Sequence, residues 1–280
     1  MNTRTRAAAL MAFRDQLRRP LVPILLVVIP TFIVFWSVAI TKPTPRRIEL
    51  PGDVWVTTTM KALHGPEMAK FTVAFVAALV GVFVIQASLQ GDRRLIVAGY
   101  RSREVIVARL AVLLAATTVA VGVAALVTAR AFDARSWTLV VAALMLAGLT
   151  YGAIGALVGA LLDKLAATYL ILFLLMADLS VVQTPMFHAQ PARLAWLLPG
   201  YGPTRLMLEG AYAPSFHTGG ELVLALVWLV GLALAVLAVL RRKLELRAHH
   251  ALSTEATNRL RGIVTSAADP LFVRRERSTR

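Results

Sequence analysis

Residues 71–89 read FTVAFVAALVGVFVIQASL, and residues 110–129 read LAVLLAATTVAVGVAALVTA. Neither stretch contains a charged residue. An α-helix rises about 1.5 Å per residue, so about 20 apolar residues cross the roughly 30 Å hydrocarbon core of a bilayer. We therefore predict that both stretches are transmembrane helices, and that residues 91–109 form a polar connector at one membrane surface.

The rest of the chain continues this pattern. It has 280 residues, of which 58% are hydrophobic, and these residues cluster in long runs without the polar interruptions of a soluble protein. Long alternation of apolar and polar residues is absent, which argues against a membrane β-barrel. We predict an all-α, polytopic membrane protein with about six transmembrane helices in a domain over 21–240. The four remaining spans are 21–41, 137–162, 165–184 and 222–240.

The distribution of basic residues predicts the orientation of the chain. The formal net charge is +15, and one side of the predicted topology carries 21 of the 30 Lys and Arg residues. Positive charge collects on the cytoplasmic side of membrane proteins, so we expect a multi-pass plasma-membrane protein with both termini in the cytoplasm. Anionic membrane lipid, and not nucleic acid, is then the expected partner of these charges. The basic segments are 1–19, 91–109, 163–164 and 241–280.

Both ends of the chain are predicted to lie at the cytoplasmic membrane surface. Residues 1–20 carry apolar residues at helical spacing among arginines, which indicates an amphipathic interfacial helix. Residues 241–280 form a basic tail that begins with Arg241-Arg242-Lys243. Beyond residue 250 the composition is typical of disorder, and a short helix near 254–265 is the alternative.

The connector 91–109 combines acidic, basic and apolar residues in a short space. It contains Asp92, Glu104, five arginines and the apolar residues 95–97. Such a segment resembles a short cytoplasmic helix that docks into another protein, where apolar residues fill a groove and charges fix the register. An ordinary basic inner loop is the alternative interpretation.

Two segments rich in proline are predicted on the outer side. Residues 42–69 are interpreted as a polar loop. Residues 185–220 contain two short apolar pieces, Ala192–Leu198 and Thr204–Tyr212, and neither is long enough to cross a bilayer. We expect a re-entrant hairpin of half-helices there, with Trp196, Tyr201 and Tyr212 at headgroup level. A partly ordered loop is the alternative.

Small residues in the fourth predicted span indicate close helix packing. Gly148-x-x-x-Gly152 and Gly155-x-x-x-Gly159 leave a smooth stripe, along which the backbone of another helix can approach. This stripe is more typical of helix packing than of a substrate surface.

The fifth predicted span contains Asp178 and Gln183. A carboxylate in an apolar helix is costly, so Asp178 should face protein, water or a partner. It could line a substrate path, or it could make a packing contact with Thr150 or Tyr151. A proton relay is disfavoured, because the predicted spans offer no second carboxylate or histidine.

The sequence offers no catalytic chemistry of its own. It has no cysteine, its histidines lack the spacing of metal ligands, and no G-x-x-x-x-G-K-[ST] loop is present to hold nucleotide phosphates. We therefore expect no catalytic, cofactor-binding or metal-binding residue, and no ATP hydrolysis by this chain alone.

The layout resembles the permease subunit of ABC-2 type transporters, over about residues 1–245. An amphipathic helix ends in Arg18-Arg19-Pro20, a charged connector joins spans two and three, and a hairpin with Leu198-Pro199-Gly200 and Thr204-Arg205-Leu206 precedes the last span. The chain departs from the family in its connector, where Gly91-Asp92-Arg93-Arg94 replaces a Glu-rich run before Gly-Thr, and in its longer tail.

This resemblance implies a function, with partners and candidate residues. The chain would export a hydrophobic or amphipathic substrate, such as a drug, a lipid or a lipid-linked glycan. Two permease chains, identical or different, would join two separate ATPase subunits that bind ATP and Mg. The residues implied in coupling to the ATPase are Asp92, Arg93, Arg94, Arg101, Arg103 and Glu104. The residues implied in the substrate path are Thr150, Asp178 and Gln183.

Three other classes compete with this interpretation. An ion-coupled secondary transporter needs intramembrane charges to bind its ion, and Asp178 is the candidate that the spans provide. An intramembrane enzyme needs a second reactive group beside Asp178, and the sequence suggests none. A non-transporting membrane scaffold also fits the composition.

Overall fold

A computed structural model describes residues 24–97, 102–213 and 216–243 of the chain. The predicted interfacial helix of residues 1–20 and the tail beyond residue 243 lie outside the described residues.

Helices make up most of the described chain. Helix α1 spans Ile29–Ile40 and is preceded by a π-helical turn, Ile24–Val28; the strands β1 and β2 span Pro45–Leu50 and Val54–Thr59. Helices α2, α3 and α4 span Met60–Val97, Ser102–Ala129 and Trp137–Leu161. Helix α5 spans Lys164–Leu175 and continues as a π-helical segment, Met176–Val182. A 3-10 turn at Ala195–Leu197 follows, then helix α6 at Tyr201–Tyr212 and helix α7 at Gly219–Lys243.

Five of these helices are long and apolar enough to cross a membrane. This agrees with the prediction of a mostly helical chain with several membrane-spanning helices. The first predicted span is represented by a shorter apolar helix, Leu26–Ile40, so the sixth crossing stays a prediction. The five long apolar segments are Met60–Ala87, Ile106–Ala129, Trp137–Leu161, Lys164–Val182 and Gly219–Lys243.

The interpretation of residues 42–69 as a loop is wrong, and the fold is not entirely α-helical. Strands β1 and β2 form an antiparallel hairpin in which Leu50 pairs with Val54. Their connection uses positive φ angles at Gly52 (77°) and Asp53 (59°), which glycine adopts freely and aspartate adopts more readily than most residues. The β-branched residues of Val54–Thr59 favour a strand over a loop.

Helix α2 begins at Met60, not at residue 71, and it passes through Pro66. The loop interpretation relied on the prolines of this stretch, Pro66 among them, and did not consider that Glu67 and Lys70 could pair. These two side chains are buried and form an ion pair, with Lys70 Nζ 2.8 Å from Glu67 Oε2. A helix places residues three apart on one face, so the pair neutralises both charges inside the apolar segment.

Helices α2 and α4 cross closely at the centre of the bundle. A Cβ atom on Gly155 would lie 2.0 Å from the carbonyl oxygen of Ala78, and one on Gly81 would lie 2.3 Å from that of Gly152. The predicted small-residue stripe of α4 therefore packs directly against the backbone of α2. Such contact lets two helices gain dispersion energy along their length without intervening side chains.

We expect Gly155→Ala to destabilise the bundle, because the new methyl group collides with backbone that cannot rotate away. Overpacking of this kind costs about 1–3 kcal/mol or more. The matched control is Gly122→Ala in α3, where nothing lies within 4 Å of the added Cβ. Thermal unfolding of both variants in detergent, followed by size-exclusion chromatography, measures the difference. Equal melting temperatures would contradict the close crossing.

Candidate functional site

Helix α6 is buried within the bundle although it is too short to span a membrane. Every residue from Gly202 to Ala211 is buried. Glycines permit its close packing: a Cβ on Gly210 would lie 2.8 Å from Leu139 Cβ in α4, and one on Gly202 would lie 2.4 Å from the carbonyl oxygen of Glu221 in α7. The second apolar piece of the predicted hairpin is thus a packed helix, and part of the first piece is the 3-10 turn that carries the exposed Trp196.

Asp178 joins α5, α4 and the start of α6. It lies in the π-helical segment, and only 3% of its surface is exposed. Its Oδ2 atom accepts a hydrogen bond from the Tyr151 hydroxyl in α4, and another from the backbone N–H of Gly200 at 3.0 Å. Tyr151 is one of the two packing partners considered for Asp178 on the sequence.

A second buried charge is connected to Asp178 through α6. Lys70 Nζ donates to Glu67 Oε2 and to Thr204 Oγ1, each at 2.8 Å. The Thr204 hydroxyl donates to the carbonyl oxygen of Gly200 at 2.7 Å, and the N–H of Gly200 bonds to Asp178. The network therefore runs from α2 through the start of α6 to α5 and α4. Asp178 is therefore linked to a second buried carboxylate, Glu67, in the apolar segment of α2, whereas the predicted spans offered none.

Some acceptors of this buried network have no partner among the described atoms. They are Glu67 Oε1 and Asp178 Oδ1, and the hydroxyl of Thr150 is also buried without a partner. Buried unpaired polar atoms cost about 1–3 kcal/mol each, so such atoms commonly bind an ordered water or a ligand. A cavity of about 20 Å³ borders Gln183, Thr204 and Arg205. It has room for about one water molecule and is far too small for an exported substrate.

The three predicted path residues are all buried, and two of them meet. The N–H of Gln183 donates to the carbonyl oxygen of Asp178, and its side-chain amide donates to that of Ala195, both at 2.9 Å. Gln183 thereby ties the end of the π-helical segment to the 3-10 turn. Thr150 lies in α4, next to Tyr151, and is fully buried. None of the three faces the outside of this chain, and their role in a substrate path stays a prediction.

Two further charged residues of α6, Glu209 and Arg205, make contacts that were not predicted from the sequence. Glu209 is fully buried and accepts hydrogen bonds from the N–H groups of His217 and Thr218, and from the Thr218 hydroxyl. A carboxylate there satisfies donors at the start of α7, where the helix dipole favours negative charge. Arg205 donates to the carbonyl oxygen of Glu49 in β1 at 3.2 Å. Arg205 and Glu209 lie four residues apart, which places both side chains on one face of the helix. This spacing was the signal available in the sequence.

The predicted coupling residues lie at the opposite end of the bundle. Helix α2 continues past its apolar segment, from Ala87 to Val97, and Asp92, Arg93 and Arg94 lie on this extension. Arg103 and Glu104 lie in the first turn of α3, before its apolar segment, and Arg101 is outside the described residues. Within the described chain the connector consists of two helix ends, not of the separate short helix suggested by the sequence.

The last basic residue described, Lys243, has a partner in the bundle. Its Nζ atom donates to the carbonyl oxygen of Ala160 near the end of α4. A cation at a helix C-terminus satisfies a free carbonyl and opposes the negative end of the helix dipole. Over the described ranges, no group of three or more His, Cys, Asp or Glu residues could hold a metal ion.

We expect Lys70→Met to cost about 3–5 kcal/mol of stability, because it leaves the Glu67 carboxylate buried without its counter-charge. Adding Glu67→Gln should restore a large part of that loss. Lys61→Met is the matched control, since Lys61 lies on the same helix and is exposed. Unfolding in mixed micelles with increasing denaturing detergent measures the free energy. If Lys70→Met were as stable as Lys61→Met, the buried ion pair would be refuted.

No protein-family model matches the chain, and no curated protein matches it in sequence. The inference of function therefore rests on its residues and the contacts they make.

Proposed function

We propose that this chain is the permease subunit of an ABC-2 type exporter. It would provide the membrane path, and a separate ATPase subunit, present in two copies, would bind ATP and Mg and drive transport. The observation that supports this most directly is the connector, because α2 and α3 both continue as helices beyond their apolar segments.

A connector built from two helix ends suits mechanical coupling. The extension of α2 from Ala87 to Val97 is about 15 Å long at about 1.5 Å per residue. Four residues, 98–101, separate it from the start of α3 at Ser102. A helical arm transmits displacement better than a flexible loop, and the charges along it can fix the register of a docked partner. Asp92, Arg93, Arg94, Arg101, Arg103 and Glu104 are the residues proposed to make this contact.

The buried α6 is the second support for this proposal. The ABC-2 family has a re-entrant hairpin before the last span, and here a short helix that follows Leu198-Pro199-Gly200 packs between α4 and α7. We infer that this segment is the hairpin and that it borders the substrate path of a permease dimer. Thr150, Asp178 and Gln183 would then support the path by holding α5 against α6. A hydrophobic or amphipathic compound is the proposed substrate class.

An ion-coupled secondary transporter is the second candidate. The network of Glu67, Lys70 and Asp178 provides buried charges, with unpaired carboxylate oxygens, of the kind that binds a coupling ion. Transport by membrane vesicles separates the two: the exporter requires ATP, whereas the ion-coupled transporter works without ATP and stops when the ion gradient is collapsed.

Purification of the full chain from its native membranes in mild detergent should recover an ATPase subunit that contains Walker motifs. The variant Arg93→Glu with Arg94→Glu should lose most of this subunit, because it reverses two of the charges proposed to fix the register of the docked subunit. Arg135→Glu with Arg193→Glu is the matched control, since both residues are exposed and lie at the other end of the bundle. Mass spectrometry measures the recovery. Equal recovery with both variants would exclude docking at the connector, and no ATPase with any variant would reject the proposal.

The proposed orientation is tested by cysteine labelling, because the chain has no cysteine of its own. Arg94→Cys should react only with a membrane-permeant maleimide, since the connector is proposed to be cytoplasmic. Thr57→Cys, on the exposed face of β2, should also react with an impermeant maleimide in intact cells. Labelling of Arg94→Cys by the impermeant reagent would overturn the topology and the coupling mechanism together.

A further inference from the structure

A groove opens between α1 and α3 at the end of the bundle where α2 begins. It encloses a cavity of about 590 Å³. Binding sites for small molecules typically have volumes of about 300–1,000 Å³, so this groove has the size of a ligand site. Helix α1 ends at Ile40, α2 begins at Met60 and α3 ends at Ala129, which places the mouth of the groove on the side of the β-hairpin.

The walls of the groove are apolar. Val34 and Val38 of α1 face Val127 of α3, and Phe35 and Leu126 contribute exposed rims. Thr31 also lines the groove, and its hydroxyl is already used, because it donates to the carbonyl oxygen of Val27 at 2.7 Å. A hydrocarbon chain can fill such a groove without displacing a hydrogen bond.

Two basic side chains stand at the mouth. Lys61 and Arg130 both line the groove and both are exposed. Neither forms an ion pair with a carboxylate in the part of the chain that the structure describes. Basic side chains at the edge of an apolar segment extend toward the lipid headgroups and attract their phosphates.

The depth of the groove matches one leaflet of a bilayer. Thr31 lies about 14 Å below Ile40 along α1, at about 1.5 Å per residue. One leaflet contributes about 15 Å, half of the roughly 30 Å hydrocarbon core. A molecule that fills the groove from its mouth therefore extends from a headgroup position to the middle of the membrane.

We propose that this groove binds an anionic phospholipid from the leaflet on the β-hairpin side. One acyl chain lies between α1 and α3, and the phosphate lies between Lys61 and Arg130. The charges at the mouth favour a phospholipid over a second copy of the chain. A second copy would place an apolar helix against Lys61 and Arg130, and neither of these has a carboxylate partner among the described residues. The site does not depend on an ATPase partner, so it goes beyond the proposed function and is tested separately.

Native mass spectrometry of the purified full chain measures the binding of phosphatidylglycerol and of phosphatidylcholine with the same acyl chains. Lys61→Gln with Arg130→Gln should lower the affinity for phosphatidylglycerol roughly 25-fold, about fivefold for each charge lost near the membrane surface, and leave phosphatidylcholine binding unchanged. The matched control, Lys42→Gln with Arg135→Gln, removes two exposed charges at the same end that do not line the groove, and it should change neither.

A second variant tests the apolar part of the site. Ala39→Trp fills the groove from its exposed wall and should abolish the preferential binding of phosphatidylglycerol while Lys61 and Arg130 are retained. The single variant Lys61→Gln, with an expected fivefold loss, serves as a milder test of the charges, and circular dichroism checks that every variant is folded. The proposal is overturned if the two double variants bind phosphatidylglycerol equally well. It is also overturned if Ala39→Trp leaves lipid binding intact and dissociates a dimer, which would identify a second copy as the occupant.

Discussion

The bundle depends on burying a carboxylate and an ammonium group without leaving either charge unpaired. An isolated charge in apolar surroundings costs many kcal/mol, whereas a paired and hydrogen-bonded charge can be accommodated. Glu67 and Lys70 meet this condition only if α2 is helical around them, because helical spacing brings residues three apart together. The pairing is therefore consistent with a start of α2 at Met60, ahead of both residues.

The same ion pair explains how α6 remains inside the bundle. Lys70 also donates to Thr204, Thr204 bonds to Gly200, and Gly200 bonds to Asp178, so the start of α6 is held by α2 and α5 at once. At its other end Glu209 satisfies the N–H groups that begin α7. A short helix within a membrane domain must satisfy its polar groups inside the protein. Here the polar contacts at both ends fix α6 between helices that are apolar elsewhere.

The sequence predicted the helices whose apolar runs are uninterrupted, and it failed where charges were paired within the fold. Predicted spans three to six agree to within a few residues with the apolar segments Ile106–Ala129, Trp137–Leu161, Lys164–Val182 and Gly219–Lys243, because hydropathy alone defines them. The start of α2 was missed because the prolines of 42–69 favoured a loop, and that pattern does not show that Glu67 and Lys70 pair three residues apart on one helix face. Asp178 was recognised as unusual and Tyr151 as a possible partner. The connection between Asp178 and Lys70 runs through Thr204 in α6. Because Thr204 is 134 residues from Lys70 in the sequence, no local pattern reveals this connection.

Helix α2 links the two ends of the molecule that the proposed function requires to communicate. Asp92 and Lys70 lie on this one uninterrupted helix, about 33 Å apart at about 1.5 Å per residue. A tilt or axial shift imposed at the connector would therefore move Lys70 directly, and Lys70 is bonded to the start of α6. The close crossing with α4 makes α4 move with α2, since backbone contact at Gly155 leaves little room for sliding. In this mechanism the ATPase need not act on the substrate path itself. Force applied at the connector would reach α5 and α6 through the buried polar network. The residues that distinguish substrates are therefore expected on α5 and α6, and not on the connector.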